Sequence, residues 1–362
     1  MDKQVSIVVA NRNRDSNRIE NFLNSLENQV VKNFEVVFVD YGSYENLLEE
    51  YQRLIIKYNF FCFISLKVGH LLWNKSKALN HGIKTATGNY IFIADIDLIF
   101  HPNTTALFQQ IKIPDRFYLF NLGYLDEEES KKIVGDYEIE DLKVNWFGKV
   151  NGMILTSKDN LIKVNGFDEF FHFYGAEDED LFARLENAGV KREFCEKPYF
   201  FHQWHQSFSG SEDKLLTGIP RIKNIMRINQ RHFQLNRDNG VIRPLRQKGM
   251  GEIGGLEFAK KLLNPDTVIK VPNILARVEH LLKEELPSFK NRVIMIEFFE
   301  DAYYSSLKYR LKRLFGKQTQ PYISMKEVND MVLKEILFNY RNHNYSFKVK
   351  EDLKIIFLCL QL

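Results

Sequence analysis

Apolar and polar positions alternate in blocks over the first hundred residues of the chain. Four short apolar runs predict buried strands, at Val5–Ala10, Glu35–Val39, Phe60–Leu66 and Tyr90–Ala94. The segments between them have the apolar spacing of helices, at Arg18–Leu26, Glu45–Tyr58 and Asn74–Thr85. Because strands and helices alternate at this pitch, the sequence predicts an α/β fold with a parallel, doubly wound central sheet.

Polar residues follow the ends of three of these strands. Asn11, Asp40 and Asp95 each come directly after an apolar run. Ligands of a doubly wound sheet bind beyond the carboxyl ends of its strands. We therefore expect these three positions to lie on the edge of the sheet that binds a ligand.

The pattern is weaker in the rest of the chain. Further apolar runs lie at Phe117–Leu122 and Met153–Leu155. A cluster of glycines between 249 and 255, followed by Pro265, indicates a domain boundary near 250–265. Beyond it the pattern predicts a mainly helical region with one strand, at Arg292–Phe298.

Composition and charge narrow the class of protein. Of the 362 residues, 44% are hydrophobic and 27% are charged, as in a soluble protein with a buried core. The net charge of +3 is weak evidence for a polyanionic partner, and we expect no nucleic-acid binding. The sequence shows neither a signal peptide nor an apolar run of the roughly 18 residues that a membrane span needs. Three widely spaced cysteines argue against a disulfide framework and favour a cytoplasmic location.

Two aspartates, Asp95 and Asp97, form a DxD motif at the end of the fourth predicted strand. Buried carboxylates are costly unless their charge is neutralised, and a hard divalent cation that bridges a diphosphate would neutralise it. Alternation along the chain places both carboxylates on the same side. The alternative is a pair of solvated loop acids, which the preceding apolar strand disfavours.

Four consecutive acids, at 177–180, open an amphipathic segment. The helix macrodipole accounts for one or two acids in a first turn, but four in a row repel one another. A functional role is therefore the favoured interpretation. General-base catalysis on a hydroxyl group is one reaction that needs such a carboxylate.

Two histidines, His202 and His205, lie three positions apart and can meet one metal ion. Their spacing alone leaves metal binding and a structural role equally open. Arg12 and Arg14 follow the first strand, where guanidinium groups suit phosphate and nucleobase edges, but a solvated basic loop is an equal alternative.

Trp73 and Lys75 open the third predicted helix. An indole can stack on a base, and an ammonium group can bind a phosphate. Their spacing alone favours the plainer interpretation, which is a helix start with one aromatic anchor.

In this order, the clusters resemble the β-1,4-galactosyltransferase-like enzymes and the bacterial family 2 glycosyltransferases of chondroitin-polymerase type. The resemblance covers roughly residues 4–206. It is carried by four segments, WNKSKALNHG, DIDLI, NGMILTSKDNLIKVNGFDE and YGAEDEDLFARL. It implies a GT-A fold, which is a Rossmann-like, mostly parallel sheet flanked by helices.

The resemblance also implies roles for individual residues. The positions that match the family's donor contacts, for a UDP-sugar, are Arg12, Arg14, Asp40, Trp73, Lys75 and Asp95. The positions that match its metal ligands, for Mn²⁺ or Mg²⁺, are Asp97, His202 and His205. Asp178 falls at the general base with Glu177 beside it, and Tyr174 and Glu179 fall at acceptor-binding positions.

Four residues depart from the family pattern. Lys75 stands for an arginine, Tyr174 for a tryptophan and Ala176 for a glycine. His202 stands for a methionine, and imidazole in its place favours a borderline metal such as Mn²⁺. Ala176 puts in question the shape of the loop before the acidic helix.

The function implied is that of a metal-dependent, inverting hexosyltransferase in bacterial surface polysaccharide synthesis. It would transfer a hexose or N-acetylhexosamine from a UDP-sugar to a hydroxyl of a glycan or glycolipid acceptor. Residues 1–250 would form the GT-A domain, with a nucleotide-binding half at 1–100 and an acceptor and catalytic half at 101–250. Residues 251–362 would form an accessory region.

Two alternatives to this function come from other classes. The first is a catalytically silent sugar- or nucleotide-binding protein on the same fold. The second is a nucleotidyltransferase, which would usually have a glycine-rich loop where this chain has ANRNR.

The sequence leaves the roles of two basic segments undecided. Residues 210–248 hold nine Lys or Arg against three Asp or Glu, and a solvated face is favoured over binding of acceptor phosphates. Residues 305–317 hold five basic residues, no acid and four large apolar residues. For them, an ordinary amphipathic helix packed on a core is favoured over peripheral contact with the inner face of the plasma membrane.

Overall fold

The computed structural model describes residues 5–133, 139–149, 152–206, 214–247 and 249–362. The chain forms two compact units. The first unit consists of Met1–Gly69, Trp73–Ser207 and Met226–Ile253, and the second of His70–Leu72, Phe208–Ile225 and Gly254–Leu362. This partition differs from the predicted division at residue 250, because 70–72 and 208–225 belong to the second unit.

The first unit is built on a sheet of nine strands among the described residues. The strands are β1 (Val5–Asn11), β2 (Phe34–Tyr41), β3 (Phe61–Leu66), β4 (Tyr90–Ala94), β5 (Leu98–Phe100), β6 (Arg116–Tyr124), β7 (Trp146–Gly148), β8 (Ile154–Ser157) and β9 (Lys191–His202). Their order is β3-β2-β1-β4-β8-β6-β9-β5, and β7 pairs with β6.

Helices connect these strands. They are α1 (Ser16–Glu27), α2 (Glu45–Ile55), α3 (Lys75–Thr85), α4 (Thr104–Ile111), α5 (Glu127–Lys131), α6 (Lys158–Lys163), α7 (Glu177–Asn187) and α8 (Ile225–Asp238), with a 3₁₀ turn at Ile139–Asp141. The helix caps follow their sequence: Asp15 accepts from the backbone N–H of Arg18, and Asn74 accepts from that of Lys77. The sequence thus sets where α1 and α3 begin.

The strands β1 to β4 pair in parallel, as the sequence predicts. The register of β1 and β2 places Asn11 opposite Asp40, and that of β1 and β4 places Val9 opposite Ala94. The three strand ends that carry polar residues therefore lie on one edge of the sheet.

The core of this unit is rich in phenylalanine. Phe92 of β4 stacks on Phe200 of β9 with ring centroids 5.0 Å apart, and Phe100, Phe108 and Phe120 pack around this pair. All five rings are buried. They pack β9 against its neighbours in the sheet and so determine where its C-terminal end lies.

The second unit contains a sheet of four strands among the described residues, in the order β10-β11-β13-β12. The strands are β10 (Thr267–Pro272), β11 (Val293–Phe299), β12 (Asn344–Val349) and β13 (Ile355–Gln361). The helices are α9 (Leu256–Lys261), α10 (Leu275–His280), α11 (Leu286–Ser288), α12 (Leu307–Leu314) and α13 (Met325–Glu335), with π-helical turns at Leu281–Glu285 and Ile336–Tyr340. No helix of the described residues has the length and hydropathy needed to cross a bilayer.

The mainly helical prediction for this region missed three strands. Only β11 matches a predicted strand. β10 alternates exposed and half-buried positions and ends at Pro272, so its apolar signal is weak. An early segment of the chain joins this sheet, because the backbone N–H of Phe347 donates to His70 O and that of Leu72 donates to the Tyr345 hydroxyl.

Candidate active site

The ends of β1 and β2 are tied together by a buried carboxylate. Asn11 Nδ2 donates to Asp40 Oδ1 at 2.9 Å, and the Ser43 backbone N–H donates to Asp40 Oδ2 at 3.0 Å. Burial raises the pKa of Asp40, and hydrogen bonds from Ser43 and Asn11 oppose that shift. Asp40 holds the two loops together, and its contact with a uridine stays a prediction.

The loop after β2 approaches another backbone segment closely. Gly42 has a φ of +77°, and a Cβ at this position would lie 2.3 Å from the backbone nitrogen of Gly69. Only glycine meets both requirements without displacement of the backbone. The Asn13 backbone N–H donates to Ser43 Oγ at 2.8 Å, so the loops after β1 and β2 form one polar rim.

The residues predicted to contact a donor lie around this rim. Arg12 Nη2 donates to Gly69 O at 2.8 Å, and Arg14 is exposed. The ring of Trp73 is half-buried and packs edge-on against Tyr41, with centroids 5.8 Å apart. Both arginines and the indole thus lie near the C-terminal ends of the parallel strands.

A compact group of metal-ligand type lies beyond β4. Asp97 Oδ2 is 3.1 Å from His205 Nε2 and 3.6 Å from His202 Nε2, and one ligand atom from each residue lies within 4.8 Å of the others. Asp97 Oδ1 is buried and has no hydrogen-bond partner among the described residues. An orphaned buried carboxylate oxygen beside two imidazoles fits a bound divalent cation.

The backbone brings this group together through β5 and β9. Leu98 pairs with His202 in the antiparallel register, and the Gln203 N–H donates to Asp97 O at 2.8 Å. His205 Nδ1 lies 3.1 Å from Gln206 O; donation to that carbonyl leaves Nε2 as the ligand atom.

Electrostatics in this group oppose the effect of burial. Burial alone would raise the pKa of Asp97, but the hydrogen bond from His205 and the charge of His202 hold it below its ordinary value. Burial lowers the pKa of His202, whereas the hydrogen bond with Asp97 raises the pKa of His205. Two imidazoles beside one carboxylate suit a divalent transition metal better than Mg²⁺.

A second polar cluster surrounds Gly152. Lys75 Nζ lies 2.6 Å from Asp95 Oδ1 and 3.9 Å from Glu177 Oε1. A Cβ on Gly152 would lie 3.7 Å from Lys75 Nζ, 3.7 Å from Asp178 Oδ2 and 3.8 Å from Asp95 Oδ2. Asp178 and the two predicted donor-binding residues Lys75 and Asp95 therefore line the same small space, and Glu177 lies beside Lys75.

The charged groups of this second cluster shift one another's pKa values. Burial raises the pKa of Glu177. The charge of Lys75 opposes this shift, whereas the charge of Asp178 adds to it. Burial would lower the pKa of Lys75, but Asp95 and Glu177 raise it above the ordinary value for lysine. Lys75 thus stays cationic among three carboxylates.

The loop before α7 takes left-handed backbone at three positions, Phe173 (φ +63°), Gly175 (φ +103°) and Ala176 (φ +69°). Such a conformation at a non-glycine residue costs about 1 kcal/mol. The Gly175 N–H donates to Glu177 Oε2 at 3.0 Å, which helps to fix the turn. The loop therefore accommodates alanine at the position where the family pattern has glycine.

The last acid of the run, Asp180, has a structural role. Its Oδ2 is 2.7 Å from Arg184 Nε, and both side chains are buried. Asn236 of α8 donates to its Oδ1 at 2.7 Å, while Arg184 Nη1 donates to Val164 O and Gly166 O. The acidic run therefore combines one carboxylate at the Gly152 space and one beside Lys75 with one that holds α7 in place.

The predicted acceptor-binding residues lie next to the second cluster. Tyr174 lies in the loop before α7, and slightly more than half of its surface is exposed. Partial desolvation of its hydroxyl, together with the charges of Glu177 and Asp178, raises its pKa. Glu179 is half-buried in the first turn of α7, and its backbone N–H donates to Asp178 Oδ1 at 2.9 Å.

Three residues near the metal-type group were missed in the sequence. Tyr124 lies with its ring centroid 5.0 Å from that of His202, and Trp146 stacks on Tyr124 at 3.8 Å. Tyr124 is the last residue of β6 and lies two positions beyond the strand predicted at 117–122, which was the available signal. Gln203 is buried and accepts from Asn21 Nδ2 at 2.9 Å, an interaction over 182 residues that no local pattern indicates.

Two family models match the chain. Glycosyl transferase family 2 matches residues 6–121, and the N-terminal domain of galactosyltransferase matches residues 138–206. This chain is a family 2 glycosyltransferase. The matches confirm the resemblance and the GT-A type of its α/β fold, and together they contain every predicted site residue of the glycosyltransferase.

Solved structures of other glycosyltransferases are similar to this one. S. aureus TarS has 17% identity and a TM-score of 0.41, over 56% of this glycosyltransferase and 37% of TarS. S. aureus TarS 1–349 in complex with UDP-GlcNAc has 17% identity and a TM-score of 0.45, over 66% of this chain and 70% of that one. The mannosyltransferase PcManGT from Pyrobaculum calidifontis, in complex with GDP-Man and Mn²⁺, has 16% identity and a TM-score of 0.43. The match covers 66% of this chain and 72% of the mannosyltransferase. The chain spans little more than a third of TarS, and no curated protein matches it.

Proposed function

We propose that this glycosyltransferase is a metal-dependent, inverting hexosyltransferase. It transfers a hexose or N-acetylhexosamine from a UDP-sugar to a hydroxyl of a glycan or glycolipid acceptor, in bacterial surface polysaccharide synthesis at the cytoplasmic side of the membrane. One observation carries the proposal: Asp97 belongs to a group of metal-ligand type, while Asp95, two residues away, belongs to a cluster with the candidate base.

The donor would occupy the edge of the sheet formed by the strand ends. Arg12, Arg14 and Lys75 supply positive charge for the diphosphate, and Trp73 supplies an aromatic surface for the uracil. Asp40, which ties together the loops after β1 and β2, would contact the uridine. Asp95, fixed by Lys75, would bind the sugar or ribose hydroxyls.

Asp97, His202 and His205 would hold Mn²⁺, or Mg²⁺ with a poorer match of ligands. A bound divalent cation offsets the negative charge that develops on the leaving UDP. The imidazole of His205 is oriented for this by its contact with Gln206 O.

Asp178 would act as the general base. Its Oδ1 accepts from the Glu179 N–H, and its Oδ2 faces the space beside Gly152. There it would take the proton of the acceptor hydroxyl while the oxygen attacks the anomeric carbon and the bond to UDP breaks. Attack opposite the leaving group inverts the anomeric carbon, so an α-linked donor gives a β-glycoside. Tyr174 and Glu179 would bind the acceptor.

The test is UDP release by the purified full chain from a panel of UDP-sugars, with Mn²⁺, with Mg²⁺ and with EDTA. We expect slow, metal-dependent hydrolysis of one donor, which would also name the sugar. Release that EDTA does not diminish would contradict the metal-dependent mechanism. If no donor releases UDP and calorimetry detects no UDP binding, the alternative of a catalytically silent binding protein is favoured.

A further inference from the structure

Helix α12 turns its apolar face outward. Leu307, Leu311, Leu314 and Phe315 are 75, 53, 78 and 71% exposed, whereas Tyr309 is buried. At 100° per residue these four side chains fall on one face of the helix, and Tyr309 falls on the opposite face. The interpretation that the sequence favoured, an apolar face packed on a core, is therefore wrong.

The opposite face anchors α12 within the second unit. The Tyr309 ring packs edge-on against Tyr322 with centroids 5.3 Å apart, and Tyr303 and Tyr304 pack at 5.8 and 5.5 Å. Ser306 caps the helix by accepting from the Tyr309 N–H. Because this aromatic cluster fixes the rotation of α12, its apolar stripe is held toward solvent.

Basic residues flank the stripe on both sides. By helical position, Lys308 and Lys312 lie on one side and Arg310 on the other, and Lys317 follows the helix. Residues 305–317 contain no acid. Within the described part of the chain, no ion pair involves their five cations, although Lys312 and Arg313 lie over tyrosine rings.

We propose that α12 lies on the surface of an anionic lipid bilayer. The exposed leucines and Phe315 would enter the boundary between headgroups and acyl chains, and the flanking cations would meet lipid phosphates. A large exposed apolar patch is uncommon on a soluble protein, and its cationic margin selects a negatively charged surface over a neutral one. This surface belongs to the second unit, whereas the candidate site residues belong to the first, and the proposal does not depend on the proposed reaction.

The experiment is sedimentation of the purified full chain with vesicles of phosphatidylcholine alone or mixed with phosphatidylglycerol. We expect binding to the anionic vesicles only, weakened when salt is raised. Each basic residue near an anionic surface contributes about a fivefold increase in affinity. Lys308→Gln with Arg310→Gln should therefore weaken binding about 25-fold.

The apolar part is tested by Leu307→Ser, Leu311→Ser and Phe315→Ser combined, which should weaken binding by roughly tenfold or more. The matched control is Ile56→Ser, Leu245→Ser and Leu263→Ser combined, because these side chains are 84, 81 and 74% exposed elsewhere. The control should bind as the unaltered protein does. An unchanged thermal unfolding midpoint verifies that each variant folds.

Three results would overturn the proposal. They are equal binding to neutral vesicles, undiminished binding of the apolar variant, and an unaltered protein that binds no vesicles. A dimer on size exclusion that the apolar variant loses, without vesicle binding, would instead assign this face to contact between copies of the chain.

Discussion

Asp178 offers a test of catalysis at the scale of one atom. Asp178→Asn keeps the side-chain oxygen that accepts from the Glu179 N–H but removes the carboxylate that would take a proton. We expect turnover to fall by about 10²–10⁴-fold, because that is the usual contribution of a general base. UDP binding measured by calorimetry should change little. Near-normal turnover would make Glu177 or Glu179 the better candidate for the base.

His205 offers the corresponding test of the metal site. His205→Ala removes one of three ligand atoms, so we expect the Mn²⁺ concentration for half-maximal UDP release to rise at least about tenfold. His280→Ala is the matched control, because His280 is exposed and pairs only with Glu285 among the described residues. Equal Mn²⁺ dependence in the two variants would refute the assignment.

The pKa of His205 adds a dependence on pH. The hydrogen bond with Asp97 raises that pKa above the ordinary value for histidine, and a metal ligand must be deprotonated. Mn²⁺ binding should therefore release a proton and weaken as the pH falls through that raised pKa. Calorimetry in two buffers of different ionisation enthalpy measures this proton. Equal heats in both buffers at such a pH would show that no proton is released.

Single residues show which parts of the candidate site the sequence could predict and which it could not. The DxD motif and the histidine pair are short local patterns, and the structure brings Asp97 and both histidines together. The interactions of Asp40 and Asp180 with Asn11 and Asn236 span 29 and 56 residues. Only the folded chain shows which acids accept buried hydrogen bonds from distant residues and which line the Gly152 space.

At the scale of one helix, α7 contains ion pairs in two environments. Asp180→Ala leaves the buried Arg184 without its carboxylate, and we expect a loss of about 3–5 kcal/mol in the free energy of unfolding. Glu186→Ala breaks the exposed pair with Arg192 and should cost about 1 kcal/mol or less. Urea unfolding of both variants measures the difference. Equal losses would mean that Asp180 does not hold α7.

Strands differ in how strongly the sequence marks them. β4 has the predicted bounds because Tyr90–Ala94 is continuously apolar and is nearly all buried. β9 was not predicted, since Lys191–His202 mixes charged residues with aromatic ones and contains Pro198. Half-exposed strands carry little apolar signal, and β10 was missed for the same reason. β12 is mostly buried, but Asn344, Ser346 and Lys348 interrupt its apolar residues.

At the scale of the whole molecule, the second unit depends on parts of the chain that are distant in sequence. Lys326 Nζ and Asn329 Nδ2 both donate to Arg221 O at 2.9 Å, and Ile222 is fully buried. A variant that ends at Ile253 removes these partners of Arg221. We expect it to be cleaved faster than the full chain at residues 214–225 under limited proteolysis. Equal resistance there would show that the segment holds its structure without residues 254–362.

The pairing of Leu72 with Tyr345 has a consequence for synthesis. The two residues are 273 positions apart, and at about 5–20 residues per second the ribosome needs roughly 14–55 s to cover that distance. During this time β3 and α3 are already translated on either side of 70–72, but the strand that the segment will join does not yet exist. The nascent chain must therefore keep this segment available until Tyr345 has been translated.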